Sequence, residues 1–363
     1  MNEIKLLILD DDQKVIGSFE SAIKRINRDK EKDFGYKVHT ANTLDEAKDI
    51  IKYKKLDTAI IDLNLNNGNQ TAPDNSEGNQ AIKELMQNFR MPIFVVSGEP
   101  EKLEPTLRDN NLIKLYPRDQ FNNGFENIIP PLFFSKSIHY FAKDGFLEQK
   151  INKFYWEHLS QTIKSWESVE GEYPGEIEKI LSRHTLSCLN EELYVNGNVG
   201  SFDKYHPGEM YIIPPIKQHC HTGDIVEKEN ELFIILNPAC DIVNSGNLDY
   251  FILVKVVEFD SLKILIEKIN PQADPAVSFY DRLNQGGKSR YDDCKANKKD
   301  RFHYLPKFDI FDDKLIDFQQ VSTKEKEEIN HDDVKASISS PFLKDIIARF
   351  SAYYARQGQP NFL

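Results

Sequence analysis

Three aspartates, Asp10, Asp11 and Asp12, stand together directly after the apolar run LLIL. Carboxylates this close repel one another, and at the end of a buried strand they weaken a fold unless a counter-charge offsets them. Three more reactive side chains close apolar runs of their own: Asp62 in AIIDLNL, Ser97 in VVSG and Arg118 in LIKLYPR. Crowded carboxylates invite a cation, and a guanidinium pairs with phosphate. Such chemistry requires that these distant positions meet.

The elements that must bring them together alternate between strand and helix. IKLLIL (4–9) is apolar except for Lys5, as a strand buried on both faces should be. Val15, Phe19, Ala22, Ile23 and Ile26 then recur at helical spacing. YKVHTA (36–41) reads as a strand, and TLDEAKDIIKY (43–53) as a helix opened by a capping box. DTAIIDLNL (57–65) is a buried strand and EGNQAIKELMQNF (77–89) an amphipathic helix. MPIFVVSG (91–98) is a strand, followed by a short helix interrupted at Pro105. LIKLYPR (112–118) is the fifth strand, and FNNGFENIIPPLFF closes the unit with a helix that Pro130 ends. Five strands alternating with helices imply a parallel sheet covered on both faces. Function in such sheets gathers at the carboxyl ends of the strands, so the aspartates, Ser97 and Arg118 converge on one rim.

This ordered set resembles the receiver domain of two-component response regulators. That family carries an acidic pair after strand one, a phospho-accepting Asp after strand three, a Ser or Thr after strand four and a Lys after strand five. The resemblance makes Asp10 and Asp11 the acidic pair and Asp62 the acceptor. It places the Asn64 backbone carbonyl in the shell of a Mg²⁺ ion shared with Asp10, Asp11 and Asp62. Ser97 matches the hydroxyl, and Arg118 falls nearest the missing Lys, Lys114 lying too early in the strand. Arg is a planar fork rather than a point charge, so the exchange is not neutral. Asp12 reads as the cap of the first helix. The loop over 66–78 is longer than the family's and rich in Asn and Gly, and it is expected to be mobile. Gly78 matches the residue preceding the next helix, and Tyr116 lies one position from the family's aromatic switch.

The chain has 363 residues with a net charge of -12, long enough for two or three domains. No apolar run spans a bilayer, and the N-terminus lacks the zones of a signal peptide. The expectation is a cytoplasmic protein, without membrane contact, whose four separated cysteines stay reduced. The negative charge argues against a broad nucleic-acid footprint but leaves room for a local basic patch.

After residue 135 the pattern changes. FLEQKINKFYWEHLSQTIKSWESV (146–169) is helical, either a connector pairing across a homodimer or a helix packed on its own C-terminal domain. GEYPGEIEKILSRHTLSCL holds a turn and a short helix. From about 208 strands dominate, with a hairpin tip at EKEN, a mobile basic loop over 271–300, and further strands at FHYLPKF and KLIDFQQV. A last helix opens near Pro341, with Gly358 and Pro360 beyond its end. No basic recognition helix stands out. HTGDIV is similar to the opening of small-barrel toxin ribonucleases over a few residues only.

Three clusters here bear chemistry. His219, Cys220, His221 and Asp224, with Cys240 and Asp241, offer zinc-ligand types but no standard spacing. Cys240 is a candidate nucleophile with His219 or His221 as base, against plain packing. Arg349 and Arg356 share a face of the last helix and suit a phosphate or RNA backbone, or ordinary surface pairing.

The expectation is therefore an α/β, five-stranded, doubly wound (flavodoxin-like) receiver over 1–135. A helical connector follows over 136–205, then an α+β domain with a small curled sheet or barrel over 206–363. As implied by the resemblance, a sensor histidine kinase phosphorylates Asp62 with Mg²⁺, and the signal passes to the C-terminal domain. The alternatives are a receiver-gated nuclease or other hydrolase acting through Asp224, Cys240 and Asp241, also in a phage-defence system, and a receiver-like scaffold in a multi-protein system such as phage defence.

Overall fold

A computed structural model of the chain describes residues 2–65, 77–121, 123–173, 175–194, 204–244 and 248–356. Most of the long loop, 66–76, lies outside the described residues, as do Gly358 and Pro360. The chain divides into two compact units, Met1–Val199 and Gly200–Leu363. Among the described residues no helix is long and apolar enough to cross a membrane.

The first unit begins with β1 (Asn2–Leu9), α1 (Gln13–Arg28), β2 (Phe34–Ala41), α2 (Leu44–Tyr53), β3 (Thr58–Ile61) and α3 (Glu77–Asn88). It continues with β4 (Ile93–Ser97), α4 (Pro105–Arg108), β5 (Ile113–Pro117), α5 (Gly124–Asn127) and α6 (Ile129–Phe133). All pairings are parallel and the strand order is β2-β1-β3-β4-β5, the flavodoxin-like order. Leu6, Leu7, Ile8 and Leu9 are completely buried, alternating between two apolar layers as the strand's period of two requires. One layer packs α2 and α3 on the sheet; the other packs α1 and an aromatic group around Phe94, Phe121 and Phe125. Burying a large aliphatic side chain stabilises by about 1.5–3 kcal/mol, so β1 anchors firmly the carboxylates that follow it.

Local rules explain most boundaries. Asp12 caps α1, its side chain accepting from Lys14 N at 2.8 Å. Thr43 caps α2, but the Glu46 carboxylate accepts from Asn42 N, one residue outside the expected box. Two proline expectations are corrected. Pro105 opens α4 rather than interrupting a helix, and Pro130 lies in the first turn of α6 rather than ending one. Both occupy positions whose N–H has no intrahelical partner to lose.

Among the described residues, four helices complete this unit: α7 (Lys136–Phe141), α8 (Phe146–Phe154), α9 (Ser160–Glu172) and α10 (Ile177–Tyr194). A π turn over Tyr155–Leu159 joins α8 to α9. Lys55 pairs with Asp144 at 2.5 Å, and Arg90 pairs with Glu148, tying this segment to the turns that follow α2 and α3. Lys150 and Lys153 both meet Glu192, closing α8 against α10. α10 runs for 18 residues, longer than the short helix expected.

The second unit holds β6 (Tyr211–Ile212), β7 (Asp224–Lys228), β8 (Glu231–Ile235), α11 (Ala239–Val243), β9 (Tyr250–Glu258) and α12 (Lys263–Ile266). Then come α13 (Phe279–Arg282), α14 (Gln285–Lys295), β10 (Phe302–Leu305), β11 (Lys314–Glu325), β12 (Val334–Ile338) and α15 (Ser340–Ala355). The sheet is antiparallel and seven-stranded, in the order β10-β11-β9-β8-β7-β12-β6. Among the described residues no pairing closes it into a barrel. Glu229 and Asn230 take positive φ at the β7–β8 turn, at the expected hairpin tip. The expected loop over 271–300 instead carries α13 and α14. Asn284 caps α14, Cys294 is completely buried, and Gly287 packs where a Cβ would lie 2.8 Å from Lys268. Polar composition concealed a helix that needs little apolar surface because it is short and glycine-docked.

Gly78, in the first turn of α3, packs on the backbone that follows β3: a Cβ there would lie 2.4 Å from the Asp62 carbonyl oxygen and 2.6 Å from Leu63 Cα. Neither is a side chain that can rotate away. Gly78→Ala is expected to destabilise the first unit by about 1–3 kcal/mol. Urea denaturation followed by tryptophan fluorescence checks this; an unchanged midpoint would show that α3 is not held against Asp62.

Candidate phospho-acceptor and cation site

Register places the acidic residues side by side. Leu9 pairs with Ile61, so Asp10 and Asp62 leave adjacent strands together, and Asp62 N donates to Leu9 O at 2.9 Å. Carboxylate oxygens of Asp10, Asp11 and Asp62 lie within 4.8 Å of one another. Asp10 and Asp62 are buried, and Asp11 is half-buried.

Arg118 supplies the counter-charge. β5 ends at Pro117, which pairs with Ser97 of β4, and a 3₁₀ turn carries Arg118 back over the rim. Its Nη2 donates to Asp62 Oδ2 at 2.8 Å and to Asp10 Oδ2 at 3.1 Å. Its Nε is buried with no hydrogen-bond partner. The other carboxylate oxygens are also held: Asp62 Oδ1 accepts from Leu63 N at 2.8 Å, and Asp10 Oδ1 from Asp12 N at 2.9 Å. Ser97 is completely buried, its Oγ accepting from Glu99 N at 3.3 Å. The Asn64 side chain donates to Glu99 and accepts from Lys102 at 3.0 Å.

The sequence reading thus located residues that the fold brings together, and one that it places elsewhere. Tyr116 is half-buried among Phe94 and Phe121, with ring centroids 6.4 and 5.6 Å away, in the layer under α1. Glu99 and Lys102, which occupy the Asn64 side chain, were missed, because an exposed charge pair carries no sequence signal of its own.

In the second unit, Asp224 is buried and committed: it accepts from Ser337 Oγ and from His221 N, both at 2.6 Å. Cys240 is exposed on α11, with its Sγ 3.4 Å from Asp241 Oδ1. Among the described residues these groups form no three-ligand metal cluster with His219, Cys220 and His221. Arg349 donates to the carbonyls of Lys299 and Phe302, at 3.1 and 2.9 Å, and Arg356 pairs with Asp300 at 2.7 Å. Arg349 is half-buried on backbone carbonyls, whereas the Arg356 pair is exposed.

No protein-family model matches the chain. No curated protein matches it. Several solved structures are similar over its N-terminal part. A CheY-like response regulator receiver domain from Methylobacillus flagellatus is 19% identical, over 35% of this chain and 99% of that one, with a TM-score of 0.27. The non-phosphorylated HemR receiver domain from Leptospira biflexa is 20% identical, over 36% and 95%, with a TM-score of 0.28. The receiver domain of a Pseudomonas aeruginosa sensor histidine kinase, with magnesium coordinated in its active-site cleft, is 14% identical, over 37% and 99%, with a TM-score of 0.27.

Burial leaves Asp10 electrostatically uncomfortable. Desolvation pushes its pKa from 3.8 up to about 6, against the Asp12 N–H and Arg118, with Asp62 and Asp11 adding to the rise. The folded state therefore binds this proton more tightly than the unfolded chain. Stability from that protonation is fully present below about pH 4 and is lost as pH rises through 6. In EDTA, Asp10→Asn is expected to stabilise the protein by about 1–3 kcal/mol at pH 7.5 and by almost nothing at pH 4. Denaturation midpoints at the two pH values check this. A variant less stable than wild type at pH 7.5 would show that the Arg118 pairing outweighs desolvation.

Proposed function

We propose that the chain is a two-component response regulator phosphorylated on Asp62 by a sensor histidine kinase. The observation that supports this best is one rim holding three carboxylates from two strand ends, Arg118 across two of them, and the buried Ser97 hydroxyl. The donor set is all oxygen and already carries an excess of negative charge, which suits a hard divalent cation. Asp10, Asp11, Asp62 and the backbone carbonyl of Asn64 would hold Mg²⁺, the Asn64 side chain being engaged by Glu99 and Lys102. When bound, Mg²⁺ supplies charge neutralisation for a transferring phosphoryl group.

The chain's own residues have distinct tasks. Asp62 offers Oδ2 to the phosphorus of a phosphohistidine while Leu63 N keeps its other oxygen in place. The new O–P bond forms as the P–N bond to the kinase histidine breaks. Arg118 must first release Asp62 Oδ2, and its unpartnered Nε then has an anionic acceptor to meet. Ser97 has an acceptor bond from Glu99 N and keeps its own proton to donate to a phosphoryl oxygen. Strengthened pairing at Ser97 and Arg118 alters the surface around β4 and β5, and that change is the signal.

The output runs through the helical connector (136–205) to the C-terminal antiparallel unit (206–363), an effector or interaction domain. Among the described side chains, α9 and α10 bury none, while Ile151, Tyr155, Trp156, Ile163 and Leu186 are exposed. A second copy pairing here as a homodimer would cover these exposed residues. The setting we propose is the cytoplasm.

Incubation of the whole chain with Mg²⁺ and acetyl phosphate is expected to add one phosphoryl group by intact mass. Asp62→Asn or EDTA should abolish the addition. Phosphorylation that persists in Asp62→Asn, or none in wild type with either acetyl phosphate or a panel of kinases, would sink the reading. In sedimentation velocity, Trp156→Glu is expected to reduce a dimer to a monomer; a wild type monomeric both before and after phosphorylation would dispose of the homodimer.

A further inference from the structure

The first unit contains a hollow of about 460 Å³, within the roughly 300–1,000 Å³ typical of small-ligand sites. It lies at the amino ends of β4 and β5, the end of the sheet away from the aspartates. Ile93 and Ile113, partners in register, are buried in its wall. Ile138 and Phe141 line it from α7, and Met86 from α3. A concave wall drawn from several elements surrounds a small body rather than offering a flat face. Met86, Leu112 and Phe141 of this lining are 45, 46 and 50% exposed. Large apolar side chains left together in water mark a place where something apolar binds.

The polar groups of the lining decide the charge of the occupant. Arg90 is the one formally charged side chain among the described lining residues. Its Nη2 pairs with Glu148 and its Nε donates to the Phe141 carbonyl, so its charge is already answered. Ser137 Oγ lies 3.1 Å from Ser135 Oγ. Asn110 Oδ1 accepts from Leu112 N at 2.9 Å, which leaves the Asn110 amide NH₂ to donate. A charged group entering here would lose water and gain no counter-ion, whereas one neutral acceptor would find a donor.

The wall is formed before anything enters. Ile93 N donates to Leu112 O at 2.9 Å, and Ile113 N to Asn110 O at 3.0 Å, so the turn into β5 has its backbone bonds. A site held in place before binding spends little free energy on ordering. Met86 and Met91, both in the lining, adapt their unbranched side chains to the shape that arrives.

We infer that this hollow binds a small uncharged molecule, an apolar fused ring carrying one hydrogen-bond acceptor. The occupant packs on the sheet and on α7 together, and so fastens the first helix of the connector to the sheet. This goes beyond the phosphorylation reading and does not depend on it. Calorimetric titration of the whole chain with 1-naphthol tests it, and saturable binding is expected. 1-Naphthoate, the same ring bearing a carboxylate, should bind at least about tenfold more weakly. Ile138→Trp fills the hollow from α7 and Met86→Trp fills it from α3. Each should weaken 1-naphthol binding at least about tenfold and leave the circular dichroism of the free protein unchanged. If Ile138→Trp does not fold, Met86→Trp decides alone. No saturable binding, 1-naphthoate bound as tightly as 1-naphthol, or indifference to Met86→Trp would overturn the assignment. So would a wild-type dimer that Met86→Asp dissociates, because a second copy would then cover the hollow.

Discussion

The first unit depends on one electrostatic bargain: a single guanidinium set between two carboxylates that the sheet has taken out of water. Asp10 and Asp62 are held there by strand register, not by attraction, since Leu9 and Ile61 are adjacent and completely buried. An isolated buried carboxylate is costly, and a second beside it more so. Arg118 offsets part of this from one nitrogen, at 2.8 and 3.1 Å. Because the offset is partial, Asp10 still resists ionisation. The resting site is thus neither neutralised nor broken, and added positive charge has a reason to enter.

The choice of Arg over Lys matters in this light. An ammonium is a compact point charge, whereas the guanidinium spans both acids and retains further donors. Under the proposed phosphorylation of Asp62, the bridge would make Arg118 a competitor for the attacking oxygen, and release of that contact would be part of activation. Its buried, unpartnered Nε carries a standing cost that a phosphoryl oxygen would relieve.

Much of this rim was legible in sequence because strand ends leave a clear signature, an apolar run broken by a charged or hydroxyl residue. Asp10, Asp11, Asp62, Ser97 and Arg118 could all be read that way. The role of Gly78 was not, since a missing Cβ shows its purpose only beside the backbone it touches. Tyr116 showed its aromatic character but not its direction, which one residue of register decides. In the second unit, β7, β8 and β9 were readable from β-branched runs and a turn. α14 was not, because Gly286 and Gly287 signal a loop unless Lys268 and Leu283 are known to pack there. β12 was missed because five residues followed by Ser-Ser-Pro give little periodicity, and pairing with β6 and β7 defines it.

The contact of Gly78 with the Asp62 carbonyl has a consequence for how this chain can vary. Leu65 and Glu77 are the described residues on either side of the 66–76 stretch, and both ends are moored, Leu65 by its burial and α3 by its glycine. Lengthening a loop between fixed ends costs little, only about 0.6 kcal/mol per doubling. The rim is therefore fixed from both sides of that stretch, by strand register and by the Gly78 contact, and a change in the number of residues between Leu65 and Glu77 would leave the pairing of β1 with β3 in place.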